Sequence, residues 1–331
     1  MAYDLSRNLS ELPSRAQALL ERSTRELDSP PDPEVQPRWD IPDTVVVMAA
    51  VSGRVANESH DGEARRGFPT DFDGFIRAAA DAIEAGAAAI HIDFGGIPAI
   101  QNSGLTVPEC YDRVISGINA ATDRDWVPDC NVLRGDNLAQ NAYPITTGLT
   151  ETFPMAPNFP VDWMESMAAL GQRHEARVFF SIHSAAEVDL ANRYIYSQGL
   201  AGKPASWLIL IGYQYDDATD RLASFLSGPE AMLDELRLIV DRIREIDPDG
   251  FIMVCAAGRA CHYLATAALM LGLHVRVGTE DTEWRYPHRD ELVASNAEMV
   301  ERVRVTAEAL GRRLATAAEF RQMIGLPAAT E

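Results

Sequence analysis

Apolar and polar positions alternate between two regimes along the chain. Short apolar runs rich in β-branched residues occur at Thr44–Val51, Ala88–Phe94, Asp129–Leu133, roughly Leu149–Met155, Arg177–His183, Trp207–Tyr213, Phe251–Ala256 and His274–Gly278. Between most of them, apolar residues recur at helical spacing, over Asp71–Ala85, Pro108–Ala121, Val161–Arg173, Ala185–Ser197, Pro229–Ile246 and Arg259–Leu271. Strand–helix alternation with eight strand candidates predicts an α/β fold, a parallel sheet closed by crossovers into a (β/α)8 TIM barrel. The third and fourth units are the weakest, because Arg134–Gly148 reads as a long loop and Pro154 interrupts the fourth strand. A doubly wound open sheet is the alternative. It is disfavoured because no glycine-rich nucleotide fingerprint follows the first strand.

The ends fit this division. Residues 1–40 read as an N-terminal helical extension, with an amphipathic helix over Leu5–Leu27 broken by Ser29-Pro30-Pro31-Asp32-Pro33. The barrel then occupies residues 41–331. Glu291–Leu310 supplies its eighth helix, and Thr316-Ala317-Ala318-Glu319 opens a terminal helix with a capping box.

Bulk composition narrows the function classes. The 331 residues carry 49 acids against 29 bases, a formal charge of −20, and no basic stripe is visible, so a nucleic-acid partner is disfavoured. No run of about 18 apolar residues predicts a membrane span. The first 30 residues lack the basic-then-apolar order of a secretion signal, which makes the cytoplasm the expected location. Cys110, Cys130, Cys255 and Cys261 show no CxxC spacing and read as reduced, buried thiols.

Candidate chemistry gathers where strands end. His91 and Asp93 lie two apart on the second strand, so both face the same side. The last strand ends in Arg276, Glu280 and Asp281, and three charged groups crowded there require partners. Arg276 lies on the same side as Glu280 if the chain stays extended. Glu280 and Asp281 then point opposite ways, so one alone can ligate. His91, Asp93 and Glu280 together could supply three ligands to one divalent ion. Carboxylate donors favour manganese, iron or magnesium over zinc. His183 ends the fifth strand and is a candidate acid/base or replacement ligand. Ser52 and Arg54 follow the first strand, Arg134 the third and Arg259 the seventh. Together these arginines suggest a small anionic substrate, and Ala257-Gly258-Arg259 before a helix offers backbone N–H groups to an anion. His60 is read as a loop residue, and Trp284, Tyr286 and His288 as a lid or wall.

Several segments resemble the β-keto acid cleavage enzyme family. The similarity is densest in Leu271–Asp281 and in Ser295-Asn296-Ala297-Glu298-Met299-Val300. It continues in Ala317-Ala318-Glu319-Phe320-Arg321, Ile324-Gly325-Leu326, Phe68-Pro69-Thr70 and Glu84–His91. The resemblance implies a barrel that holds a divalent metal, usually zinc, and converts a β-keto acid and acetyl-CoA into acetoacetate and a new CoA thioester. It implies His91 and Glu280 as ligands, Arg276 on the substrate carboxylate and Asp281 acting beside the metal. Asp93 replaces the family's second ligand His, and Phe94-Gly95-Gly96 replaces an Arg-Asp dipeptide. Ser52-Gly53-Arg54-Val55 lacks the acid at the end of the first strand, and Val132-Leu133-Arg134-Gly135-Asp136 replaces a small Ser/Thr-Gly-rich end.

Two function classes follow. The first is a metal-dependent enzyme of retro-Claisen type that acts on a β-keto acid, with acetyl-CoA as acceptor or, alternatively, as a CoA-independent lyase or hydrolase. The second is a barrel that binds a small anion without catalysis. The resemblance also implies a homo-oligomer, and the apolar face of Leu5–Leu27 gives residues 1–40 a surface to pack on a neighbour. Light scattering at micromolar concentration should therefore give a dimer or tetramer mass. A value near 36.3 kDa would contradict this.

Overall fold

All eight apolar runs form strands in the computed structural model, which describes residues 14, 16–18, 20–22, 38–52, 68–95, 97–133, 135, 137–216, 221–224 and 228–328. The strands are β1 (Val47–Ala50), β2 (Ala89–Ile92), β3 (Val127–Cys130), β4 (Thr152–Met155), β5 (Arg177–Ile182), β6 (Ser206–Ile211), β7 (Phe251–Ala256) and β8 (His274–Val277). They pair in parallel in the order β7-β8-β1-β2-β3-β4-β5-β6 and close into a barrel. Parallel neighbours require a crossover; helices supply all seven, and an eighth helix follows the last strand. These are α1 (Phe72–Glu84), α2 (Val107–Ala121), α3 (Leu138–Thr146), α4 (Val161–Arg173), α5 (Ala185–Ala191, extended by a π turn over Asn192–Tyr196), α6 (Pro229–Ile246), α7 (Cys261–Met270) and α8 (Asn296–Ala309). The architecture is a (β/α)8 barrel.

Alternation along the strands separates two apolar layers. Val47, Ala49 and Val51 share a cluster with Phe75, Ala79 and Ile83 of α1, whereas Met48 joins Val127, Phe179, Leu208 and Met253 in a second one. A period of two puts the first set between strands and helices and the second inside the barrel. A terminal helix, α9 (Ala317–Ile324), closes the N-terminal end of the barrel. Its Phe320 ring lies 6.2 Å from Phe179 and 5.4 Å from Phe251. The predicted capping box forms, with Thr316 Oγ1 accepting from Glu319 N–H at 3.2 Å. Buried Arg321 anchors the helix, donating to both oxygens of Glu151 at 2.6 and 2.7 Å and to Trp126 O at 2.9 Å.

Two readings change. The segment expected as a loop, Arg134–Gly148, contains α3, started by Asn137, whose side chain accepts from Gln140 N–H at 3.0 Å. Pro144 inside it hid the helical pattern. The fourth strand survives Pro154 but stays short, and its ladder to β3 holds the single pair Asp129↔Thr152. A hairpin of Tyr213–Asp216 with Arg221–Ser224 extends from the end of β6. The chain divides into two compact units, Met1–Ile41 and Pro42–Glu331. Most of the helix expected over Leu5–Leu27 lies outside the described residues.

One buried base on β8 makes the barrel acid-sensitive. The His274 ring stacks on Phe251 at 4.2 Å, and its Nδ1 accepts the Val46 N–H at 3.0 Å. Burial, with the Arg312 charge adding to it, pushes its pKa down to about 3. A folded-state value below the unfolded one means the unfolded chain takes up the proton first. Stability from this group is complete above about pH 6.5 and falls as pH drops towards about 3. Chemical denaturation at pH 5 should show about 2 kcal/mol less stability than at pH 7 from this residue alone. The difference should shrink by that amount in His274→Asn, and an unchanged slope would contradict the assignment.

Candidate metal centre

The C-terminal end of β2 carries two buried polar side chains on one side, His91 and Asp93. The neighbouring strand brings Asp129 into register with His91. Asp129 Oδ2 lies 2.6 Å from His91 Nδ1, and Thr152 Oγ1 donates to Asp129 Oδ1 at 2.6 Å. The Asp93 carboxylate accepts from Gly95 N–H and from Asn131 Nδ2, both at 2.7 Å. Burial pushes the His91 imidazole down and Arg276 adds to this, but Glu280 and Asp129 outweigh them and hold it above its ordinary value.

The second half of the centre is built by a turn. β8 ends at Val277, and Gly278 then lies against the backbone of Ala50, where a Cβ would meet the Ala50 oxygen at 1.9 Å. Glu280 N–H donates to that oxygen at 3.1 Å, and Asp281 N–H and Thr282 N–H both reach Gly278 O at 3.1 Å. The chain is therefore folded back rather than extended, and Glu280 and Asp281 do not point opposite ways. Arg276 Nη2 donates to Glu280 Oε1 and to Asp281 Oδ1, each at 2.8 Å, and its Nε reaches Asp281 Oδ2 at 3.2 Å. Ser52 Oγ donates to the other Glu280 oxygen at 3.2 Å. Thr279 ties the turn down through Val51 O, Ser52 O and Asn296.

The two halves meet although 189 positions separate His91 from Glu280 in the chain. His91 Nε2 lies 3.6 Å from Glu280 Oε1. One ligand atom each from His91, Asp93 and Glu280 lie within 4.8 Å of one another, all three residues buried. One imidazole nitrogen and two carboxylates suit a divalent ion. Carboxylates crowded in a dry site also repel, which a cation relieves. The residues present thus fit a divalent metal.

The other predicted residues fall at different distances from this centre. His183 stands at the end of β5, with its backbone N–H 2.7 Å and its Nδ1 3.1 Å from Glu187 Oε2, outside the ligand cluster. Arg259 lies over Trp284 at 3.7 Å and is paired with Asp290. Arg54, His60 and Arg134 lie outside the described residues. Tyr286 and His288 neighbour one another at 5.9 Å. Sequence reasoning gave no role to Asp129, Asn131 or Thr152. The signal was present, since Asp129 and Asn131 repeat on the third strand the two-residue spacing of His91 and Asp93.

Comparison with known proteins places the chain among relatives. Residues 44–326 match the model of the beta-keto acid cleavage enzyme family. The 3-keto-5-aminohexanoate cleavage enzyme of Fusobacterium nucleatum subsp. nucleatum is 27% identical over 296 residues, covering 85% of this chain and 98% of that protein. The 3-oxoadipate:acetyl-CoA acetyltransferase of Cupriavidus necator is 35% identical over 92 residues, 28% of this chain and 32% of that protein. Among solved structures, a ternary complex of ObcA with a C4-CoA adduct and oxalate shares the fold. Its TM-score is 0.62 at 21% identity, over 78% of this chain and 67% of that one.

The turn after β8 is the most exacting local feature of the centre. Gly278→Ala should cost more than about 3 kcal/mol of unfolding free energy, because the backbone of a central strand blocks the new methyl group. Denaturant titration checks this, and a loss below about 1 kcal/mol would show that the strands can separate to admit it.

Proposed function

Starting from a chain that belongs to the beta-keto acid cleavage enzyme family, we propose that it breaks or forms a carbon–carbon bond beside the carbonyl of a small β-keto acid. The observation that carries this reading is the convergence of His91, Asp93 and Glu280 at the strand ends, with Arg276 bound to Glu280 beside them. These three side chains would hold a divalent ion, which when bound supplies Lewis acidity towards a keto oxygen. With Asp93 beside Glu280, two of the three donors are carboxylates, and this favours manganese or iron over the zinc that the family resemblance implies.

Each of the chain's own residues then has a task. Arg276 holds Glu280 and Asp281 in place and gives the substrate carboxylate a planar cationic partner. Ser52 fixes the second oxygen of Glu280. Asp281, buried beside Arg276, moves the proton at the carbon next to the carbonyl, and His183 at the mouth is the second proton carrier. By its place in the sequence after the first strand, Arg54 is proposed to add positive charge for an anionic substrate, and Arg259, paired with Asp290, is proposed to share in that role. The relative named 3-oxoadipate:acetyl-CoA acetyltransferase supports acetyl-CoA as the acyl acceptor.

A screen of short β-keto acids with manganese, iron or zinc supplied, with and without acetyl-CoA, tests the reading. Turnover is expected, and the acetyl-CoA arm separates transfer from CoA-independent cleavage. Silence across the screen would overturn the cleavage reading in favour of a small-anion-binding barrel. Glu280→Gln should lose both metal and activity while keeping the fold. Arg276→Lys should retain the metal and lower kcat/KM by about 100-fold, because an ammonium cannot reproduce the two-pronged contact that Nε and Nη2 make with Asp281.

A further inference from the structure

Across β2 and β3, two pairs of residues face each other one to one. β2 and the residue after it carry His91 and Asp93, while β3 and the residue after it carry Asp129 and Asn131. His91 and Asp129 are register partners, and each pair spans the same 38 positions in the chain. Asp129 takes the imidazole Nδ1 at 2.6 Å, and Asn131 donates to the Asp93 carboxylate at 2.7 Å. Thr152, from β4, holds the remaining Asp129 oxygen at 2.6 Å.

We propose that β3 is the positioning strand of the metal centre, with Asp129 and Thr152 presenting His91 and with Asn131 presenting Asp93. This rests on the reading that His91, Asp93 and Glu280 hold a divalent ion. A ring whose Nδ1–H is given to a carboxylate keeps its Nε2 lone pair available, and here Nε2 is the atom turned to Glu280. The Asp129 charge also makes the imidazole a better donor. The Asn131 amide does the complementary job, orienting the Asp93 carboxylate by hydrogen bonding while leaving its charge for the ion. Thr152 fixes which oxygen of Asp129 meets the ring. Asp129, Asn131 and Thr152 all lie at 9% exposure or less. A buried polar chain of this kind is costly compared with apolar packing, and its members converge on the two ligand side chains.

The test loads the full chain with Co2+ and reads two quantities, affinity by chelator competition and the visible d–d spectrum. Asp129→Asn and Asn131→Ala should each weaken Co2+ binding by about 10- to 100-fold and alter the band shape of the bound ion. Thr152→Val, which removes one hydroxyl at nearly constant volume, should shift affinity a few-fold in the same direction. It carries the Asp129 arm of the test if Asp129→Asn does not fold. A packing role alone would lower the unfolding midpoint and leave the spectrum of the bound ion unchanged. Parent-like affinity and spectrum in the β3 variants, together with loss of Co2+ in His91→Ala, would overturn the positioning role and leave the metal centre standing. Parent-like Co2+ binding in His91→Ala would overturn the metal centre itself, and the positioning role with it.

Discussion

The contact between Gly278 and the backbone of Ala50 governs how the last barrel strand ends and where its acids go. A residue with a Cβ at that position would collide with a carbonyl of β1, so the chain can approach β1 this closely only through glycine. Because it does, the amide of Glu280 bonds to Ala50 O and the chain folds back over the seam where β8 meets β1. The seam is also where the barrel closes, so one backbone contact serves both closure and the aiming of side chains.

Around that turn, charge is arranged in a short relay. Arg276 lies between two carboxylates, one of which reaches towards His91, while His91 is held from behind by Asp129. In a low-dielectric site each of these groups would be costly alone, and the hydrogen bonds among them offset that cost. No buried side-chain nitrogen or oxygen among the described residues lacks a partner. Such a network holds its members in place, which is what a centre that must present donors at fixed positions requires.

The two ends of the barrel divide the work. At the N-terminal end, Phe179, Phe251 and Phe320 form an aromatic plug, with neutral His274 stacked on it and Arg321 securing α9. This end contributes stability through apolar burial. Towards the C-terminal end, inward-facing positions on β2, β3 and β8 carry His91, Asp129 and Arg276. Strand direction thus sets the division, since the loops that complete a site follow the C-terminal ends of parallel strands.

Much of this was legible in the residues themselves. Periodicity and turn chemistry are local, so eight strands, most helices and the capping box of α9 follow from short stretches of sequence. The two-residue spacing of His91 and Asp93 likewise fixed their common side. Three features depended on the tertiary fold. The helix over Leu138–Thr146 was masked by Pro144, which local pattern treats as a breaker although the helix runs through it. The turn that brings Glu280 and Asp281 to one guanidinium exists because β1 lies beside Gly278, a neighbour more than 220 positions away. The pairing of Asp129 and Asn131 with His91 and Asp93 is set by the register of two parallel strands. That register is determined by the crossover and by closure of the whole barrel, so no local stretch of sequence encodes it.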